Sequence, residues 1–208
     1  MVITYYGEAF VRLQFGDMVI ATNPVSRDFD AKASKFGADI ALIAQNHPSM
    51  NGRDSVSFGA KEAFVIDSPG EYELSGVFVK GLPSVGPHGR INTVYSVVLE
   101  GMSVVHLGGL ALDKLTPDAL EEISSPDILI VPIGGQDSLD PKSAAKFAAS
   151  LGPKIIIPVL CGDKKDDHLP IFLKDIGADK VSPLDKLSLK KKDLEGKEGE
   201  VIVLSPVN

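Results

Sequence analysis

The chain has no tryptophan, one cysteine and four histidines in 208 residues. A lone cysteine excludes an intrachain disulfide framework and every zinc cluster built on several cysteines. Four histidines are few for a protein that would hold metal ions with several imidazoles. Basic residues are also in the minority: 21 Lys and Arg against 28 Asp and Glu leave a formal charge of −7. That balance argues against nucleic-acid binding, which draws on clustered cations. No apolar run reaches the roughly 18 residues needed to cross a bilayer, so no membrane association is expected. The stretch from Met1 to Gly7 has no basic region followed by an apolar one, and a cytoplasmic location is the expectation.

What is present is an ordinary globular composition, 44% apolar and 24% charged. The length suits a single domain, 1–208, with ample chain to bury a core. The first half reads as short strands broken by glycine turns: Val2–Tyr6, Phe10–Phe15, Met18–Thr22, the wholly apolar Ile40–Ala44, then Ala63–Ile66, Glu71–Leu74, Val77–Lys80, Val94–Leu99 and Ser103–His106. Phe29–Phe36 reads as one or two helical turns ended by Gly37. The second half alternates. Leu115–Ile123 is predicted helical, with Thr116 as N-cap and Pro117 at the first helical position. Ile128–Pro132 and Lys154–Val159 are apolar strands, separated by a helix over Lys142–Leu151 that Asp140-Pro141 opens. Leu169–Ile176 is a last helix, and Lys186–Lys192 with Glu200–Leu204 reads as a closing strand pair. Meanders followed by β-α-β alternation imply one α/β domain with helices over sheets and functional loops at strand ends.

The order of these segments carries a resemblance. Gly7-Glu8-Ala9-Phe10, the strand ending at Asn23-Pro24, and the strand Ala38–Ala44 running into a histidine-containing loop are its first part. Ser68-Pro69-Gly70-Glu71-Tyr72-Glu73, Asn92-Thr93-Val94-Tyr95, His106-Leu107-Gly108, Asp127–Pro132 and Ile155–Pro158 continue it in order over nearly the whole chain. The chain resembles the metallo-β-lactamase superfamily, in its branch of small zinc-dependent hydrolases. The resemblance implies a four-layer αββα sandwich with a cleft at the sheet edges. It also implies a loop reading His-x-His-x-Asp-His that presents ligands to one or two zinc ions, which make a bound water nucleophilic at neutral pH.

Placed on that loop, the family's ligands fall here on Gln45, His47, Ser49 and Met50, and a one-residue slip gives Asn46, Pro48, Met50 and Asn51. The later aspartate falls on Gly109 and the late histidine on Leu160. Another histidine is missing or represented by His88. Glu8 stands where Gly-His-Ala is common, and Asn23-Pro24 replaces an Asp-Pro turn. An amide, one imidazole and a hydroxyl do not make a zinc shell. The expectation is a vestigial metal site at Gln45, His47, Ser49, Met50, Gly109 and Leu160, with no catalytic residue and no bound cofactor where the family implies zinc.

Three functions stand side by side. The first is a non-catalytic, small-molecule-binding member of the fold. The second is a metal-dependent hydrolase with a rearranged set drawn from cleft residues Glu8, His47, His88 and His106, with Asn23 nearby. The third is a structural or subunit-interaction module, with a homo-oligomer as one form. Other motifs have plainer readings. His106 ends an apolar strand as a hydrogen-bonded structural histidine. Cys161 reads as a small buried hydrophobe. The run Asp163 to His168 reads as a solvated loop and helix start capped by Asp166 or Asp167. Gly108-Gly109 and Gly134-Gly135 are turns and lack a phosphate-loop pattern. Lys190-Lys191-Lys192 is a solvated strand end, and Ser68 has no His and Asp to make it a nucleophile.

Overall fold

The computed structural model describes residues 1–30, 33–135, 138–160 and 167–207. Strands β1 (Val2–Tyr5), β2 (Val11–Phe15), β3 (Met18–Thr22), β4 (Ile40–Leu42) and β5 (Phe64–Ile66) lie in chain order in one sheet. The second sheet takes β6 (Gly70–Leu74), β7 (Val77–Val85), β8 (Ile91–Leu99), β9 (Met102–His106), β10 (Ile128–Pro132) and β11 (Ile155–Val159). Two short strands finish the edges: β12 (Leu187–Ser188) beside β1, and β13 (Glu200–Val201) beside β11. Pairing is antiparallel except along β3–β4–β5 and β9–β10–β11–β13.

The side-chain alternation of the strands assigns each face its layer. β3 sends Ile20 between the sheets and Ala21 to the outside, and β10 sends Ile130 inward and Leu129 and Val131 outward. The inter-sheet core joins Ile3, Leu13, Ile20 and Leu42 to Val97, Val104, Ile130 and Ile157. Over the outer face of the second sheet lie α1 (Pro117–Glu122), α2 (Pro141–Ser150) and α3 (His168–Asp175), through Ala119, Ala144, Ala148 and Phe172. The predicted caps are in place. Thr116 Oγ1 accepts from the Ala119 N–H at 3.3 Å, and Asp140 Oδ1 from Lys142 and Ser143 at 3.1 Å each. Because β10 and β11 are covered on both faces, they are apolar throughout.

The other outer layer differs from the sequence expectation. The described part of 29–36 holds no helix. Ser26 closes a turn by accepting the Phe29 and Asp30 N–H groups through its carbonyl. Further on, Phe36 and Ala38 donate to the Ser55 and Val56 carbonyls. Aromatic packing favours this path: Phe36 stacks on Phe10 at 5.7 Å, and the Arg12 guanidinium sits 5.7 Å and 5.3 Å from the Tyr6 and Phe36 rings. The result is still two sheets between two outer layers, an α/β sandwich whose first outer layer is made of irregular chain and a short 3-10 turn, Arg53–Ser55.

The closing strand pair is also corrected. β12 pairs with β1 and β13 with β11, so the two segments join different sheets. Leu187, Leu189 and Leu194 on one side and Ile202 and Leu204 on the other all enter the inter-sheet core, which draws the segments apart. Among the described residues, no helix is long and apolar enough to cross a membrane. The loops that follow β3, β4 and β9 meet at one end of the sandwich, tied by the Ala44 N–H to Asn23 Oδ1 at 2.8 Å and the Thr93 N–H to the Ala44 carbonyl at 2.9 Å. The end of β11 joins them where Leu160 N–H donates to the Glu8 carbonyl at 2.9 Å.

Candidate functional site

Two structures are built from these loops: a buried polar network, and an open cavity with an apolar floor. The network centres on His106 and Asn92. The Gly108 N–H donates to His106 Nδ1 at 2.9 Å, which leaves the ring proton on Nε2, 3.0 Å from the Ala9 carbonyl that accepts it. Asn23 holds φ +50, a left-handed conformation that asparagine tolerates, and its amide nitrogen lies 3.4 and 3.3 Å from the two ring nitrogens. Burial pushes the imidazole down to about 4, so it is neutral near pH 7. Asn92 donates to the Leu107 carbonyl and to Ser84 Oγ, and accepts from the Gly109 N–H and from Gln45 Nε2.

Gln45 links the two structures. Its Nε2 donates to Asn92 Oδ1 at 3.1 Å and to the Gly109 carbonyl at 2.9 Å. It is gripped between two backbone approaches, since a Cβ at Gly86 or at Gly109 would run into Nε2. At Gly109 the added carbon would also stand 2.9 Å from Met50 Cε. Met50 and Leu160 pack with Ala9 as a separate buried apolar cluster. Leu160 and Glu8, joined through the backbone, both hold positive φ, +54 and +49, a costly conformation for residues with a Cβ.

In front of this floor is a cavity of about 780 Å³. Gln45, His47, Ser49, Met50 and Leu160 line it together, and Glu8 does too; Gly109 lies directly behind Gln45 and Met50. His47 Nδ1 is 2.9 Å from Ser49 Oγ and takes the Ser49 N–H at 3.4 Å, while Phe29 meets the ring edge-on. Since a backbone N–H can only donate, Nδ1 is the acceptor and the proton sits on Nε2. Asn23 and His106 lie behind the floor in the polar network, and His88 is exposed on the 3-10 turn Pro87–Gly89, away from the cavity wall. Glu8, His47, His88 and His106 therefore do not converge, and both His106 nitrogens have partners. Among the described residues, no three His, Cys, Asp or Glu side chains gather in a metal-holding group.

Several cavity residues were not legible as site residues, four of them polar or aromatic groups at the wall. His168, read as part of a solvated helix start, forms wall; a Cβ at Gly135 would stand 3.1 Å from its Nε2, and its buried Nδ1 has no partner among the described residues. Arg90, Phe29 and Ser205 complete the surprise. They come from four distant segments, and only a histidine following a strand-end loop was a signal to follow. Asp167 occupies the cap position of α3 without a side-chain cap bond; Cys161, Asp163 and Asp166 lie outside the described residues.

A model of the β-lactamase superfamily domain matches residues 2–160. A UPF0173 metal-dependent hydrolase of Thermococcus onnurineus is 28% identical over 171 residues, 69% of this chain and 74% of the relative. One from Anoxybacillus flavithermus is 26% identical over 198 residues, 76% and 85% of the two chains. A crystal structure from Thermotoga maritima, of a proposed zinc-dependent hydrolase, is 31% identical, with a TM-score of 0.78 over 98% of this chain and 97% of that one.

Proposed function

The chain belongs to the β-lactamase superfamily, and from that premise we propose that its cleft binds a small molecule without metal and does not carry out metal-dependent hydrolysis. The relatives from Thermococcus and Anoxybacillus are described as metal-dependent hydrolases, so the metal the fold implies is the first thing to test against these residues. Zinc takes thiolate, neutral imidazole and carboxylate donors. At the positions that the resemblance gives to the ligands stand an amide, an imidazole, a hydroxyl, a thioether, a glycine and an aliphatic side chain. That donor set does not fit zinc.

The observation that carries the reading is how the replacements are used. Gln45 spends its amide N–H groups on Asn92 and the Gly109 carbonyl, and Met50 and Leu160 close on Ala9. Where the resemblance implies the ions, Gln45, Met50 and Leu160 are engaged with their neighbours, which supports this reading. The cavity in front keeps a size suited to a small organic ligand. A rearranged ligand set finds no support, because His106 is committed on both nitrogens and His88 is exposed and not part of the cavity lining.

Metal analysis of the protein purified from cells grown with zinc, manganese and iron tests this directly. Far less than one equivalent of any of them should survive dialysis, and chelator should leave the melting temperature unchanged, since no metal-binding energy is linked to folding. A stoichiometric metal ion, with stability lost on chelation, would sink the proposal.

A further inference from the structure

We infer that the ligand of this cavity is a monocarboxylate carried on an apolar body, held by Arg90; this rests on the metal-free binding role proposed above. The volume, about 780 Å³, is far more than an inorganic ion would fill. Much of the wall is apolar: Phe29, Met50, Leu160, Leu169, Pro183 and Val203. Such a surface asks for a hydrocarbon or aromatic body.

The charge on the wall narrows the polar end. Among the described residues, Arg90 is the one Lys or Arg that lines the cavity, and no carboxylate pairs with it. A guanidinium matches a carboxylate with two parallel hydrogen bonds, a geometry a neutral or cationic group does not offer. Glu8 on the same wall and the formal charge of −7 oppose a polyanion such as a polyphosphate. One cation therefore suits one anionic group. His47, His168, Ser49 and Ser205 surround the space with hydrogen-bonding groups for the rest of the ligand.

Arg90 is placed by the same residue that stands in a ligand position. Its N–H donates to the Pro87 carbonyl at 3.1 Å, and its carbonyl accepts the Gly86 N–H at 2.8 Å. Gly86 in turn rests against the Gln45 amide, in an approach that no Cβ allows. The glutamine thus seats the loop that brings Arg90 to the cavity.

The test is calorimetric titration of the full chain with phenylbutyrate, phenylbutanol and phenylbutylamine, which share one body and differ in the head group. The acid should bind roughly tenfold or more tighter than the alcohol, with the amine weakest. Arg90→Gln should bring the acid down to the alcohol's affinity, and Arg90→Lys should recover part of the difference; Arg90 is exposed, so neither should disturb folding. The inference is overturned if acid and alcohol bind alike, if the amine binds best, if Arg90→Gln leaves the acid unaffected, or if no probe binds. Alcohol binding equal to acid in metal-free protein would remove the carboxylate and leave the binding role standing. Acid binding that vanishes on chelation, in protein holding stoichiometric metal, would instead remove the reading of the cleft.

Discussion

The His106 network and the Met50 floor are built from the same set of loops, yet they meet burial in opposite ways. Around His106 the buried polar side chains find partners: Ala9, Gly108, Asn23, Ala44, Asn92 and Leu107 take part in hydrogen bonds between 2.8 and 3.4 Å. Around Met50 the polar atoms are few and contact is apolar. The first arrangement fixes geometry and tolerates little change in chemistry, because each deletion leaves a buried group unsatisfied. The second fixes volume and tolerates chemistry of similar size. Gln45 is the seam, polar toward Asn92 and packed toward Met50.

The largest test of that difference is Gly109→Asp, which puts an acid at the position where the resemblance implies an aspartate. Its Cβ would collide with Gln45 and Met50, and its carboxylate would be desolvated. We expect a loss of about 3 kcal/mol or more in urea unfolding, with no gain of zinc by metal analysis. A stable, zinc-binding variant would break the contrast between network and floor.

Acid titration probes the network alone. With the His106 value depressed from 6.5 to about 4, the unfolded chain takes up its proton first as pH falls. The stabilising contribution is whole above about pH 6.5, declines by about 3 kcal/mol down to pH 4 and levels off below that. Unfolding free energies measured over that range should show this slope, and His106→Gln should flatten it. Unchanged slope in the variant would assign the acid sensitivity elsewhere.

Asn23→Ala is expected to cost about 2 kcal/mol, by leaving the buried Ala44 N–H without its acceptor and placing alanine at φ +50. Denaturant unfolding measures it. The smallest effect belongs to the floor: Met50→Leu should change stability by less than about 1.5 kcal/mol, since shape and polarity are nearly kept. A cost above that of Asn23→Ala, in the same assay, would reverse the ranking of the two regions.

Much of this was legible before the structure. The strands announce themselves by apolar runs and glycine turns, and the caps Thr116 and Asp140 by residue type. Gln45, His47, Ser49, Met50 and Leu160 were placed together by the resemblance, and all five line the cavity. What was not legible depends on contacts between distant segments. Phe36 is drawn out of a helix by Phe10, Arg12 and the Ser55 carbonyl, and nothing in its own neighbourhood says so. β12 and β13 part because Leu187, Leu189 and Leu194 on one side and Ile202 and Leu204 on the other enter the core from two edges. Arg90, His168 and Ser205 reach the cavity from three separate stretches, each of which reads locally as a turn, a helix start or a tail.

The grip on Gln45 has one more consequence. With glycine on both sides, the amide fits and an aspartate at 109 does not; with an aspartate at 109, the amide has no room. The order of exchange therefore matters: an aspartate at 109 introduced first runs into Gln45 and Met50, whereas a shorter side chain at 45 introduced first opens room there and leaves Asn92 Oδ1 and the Gly109 carbonyl without the donor they share.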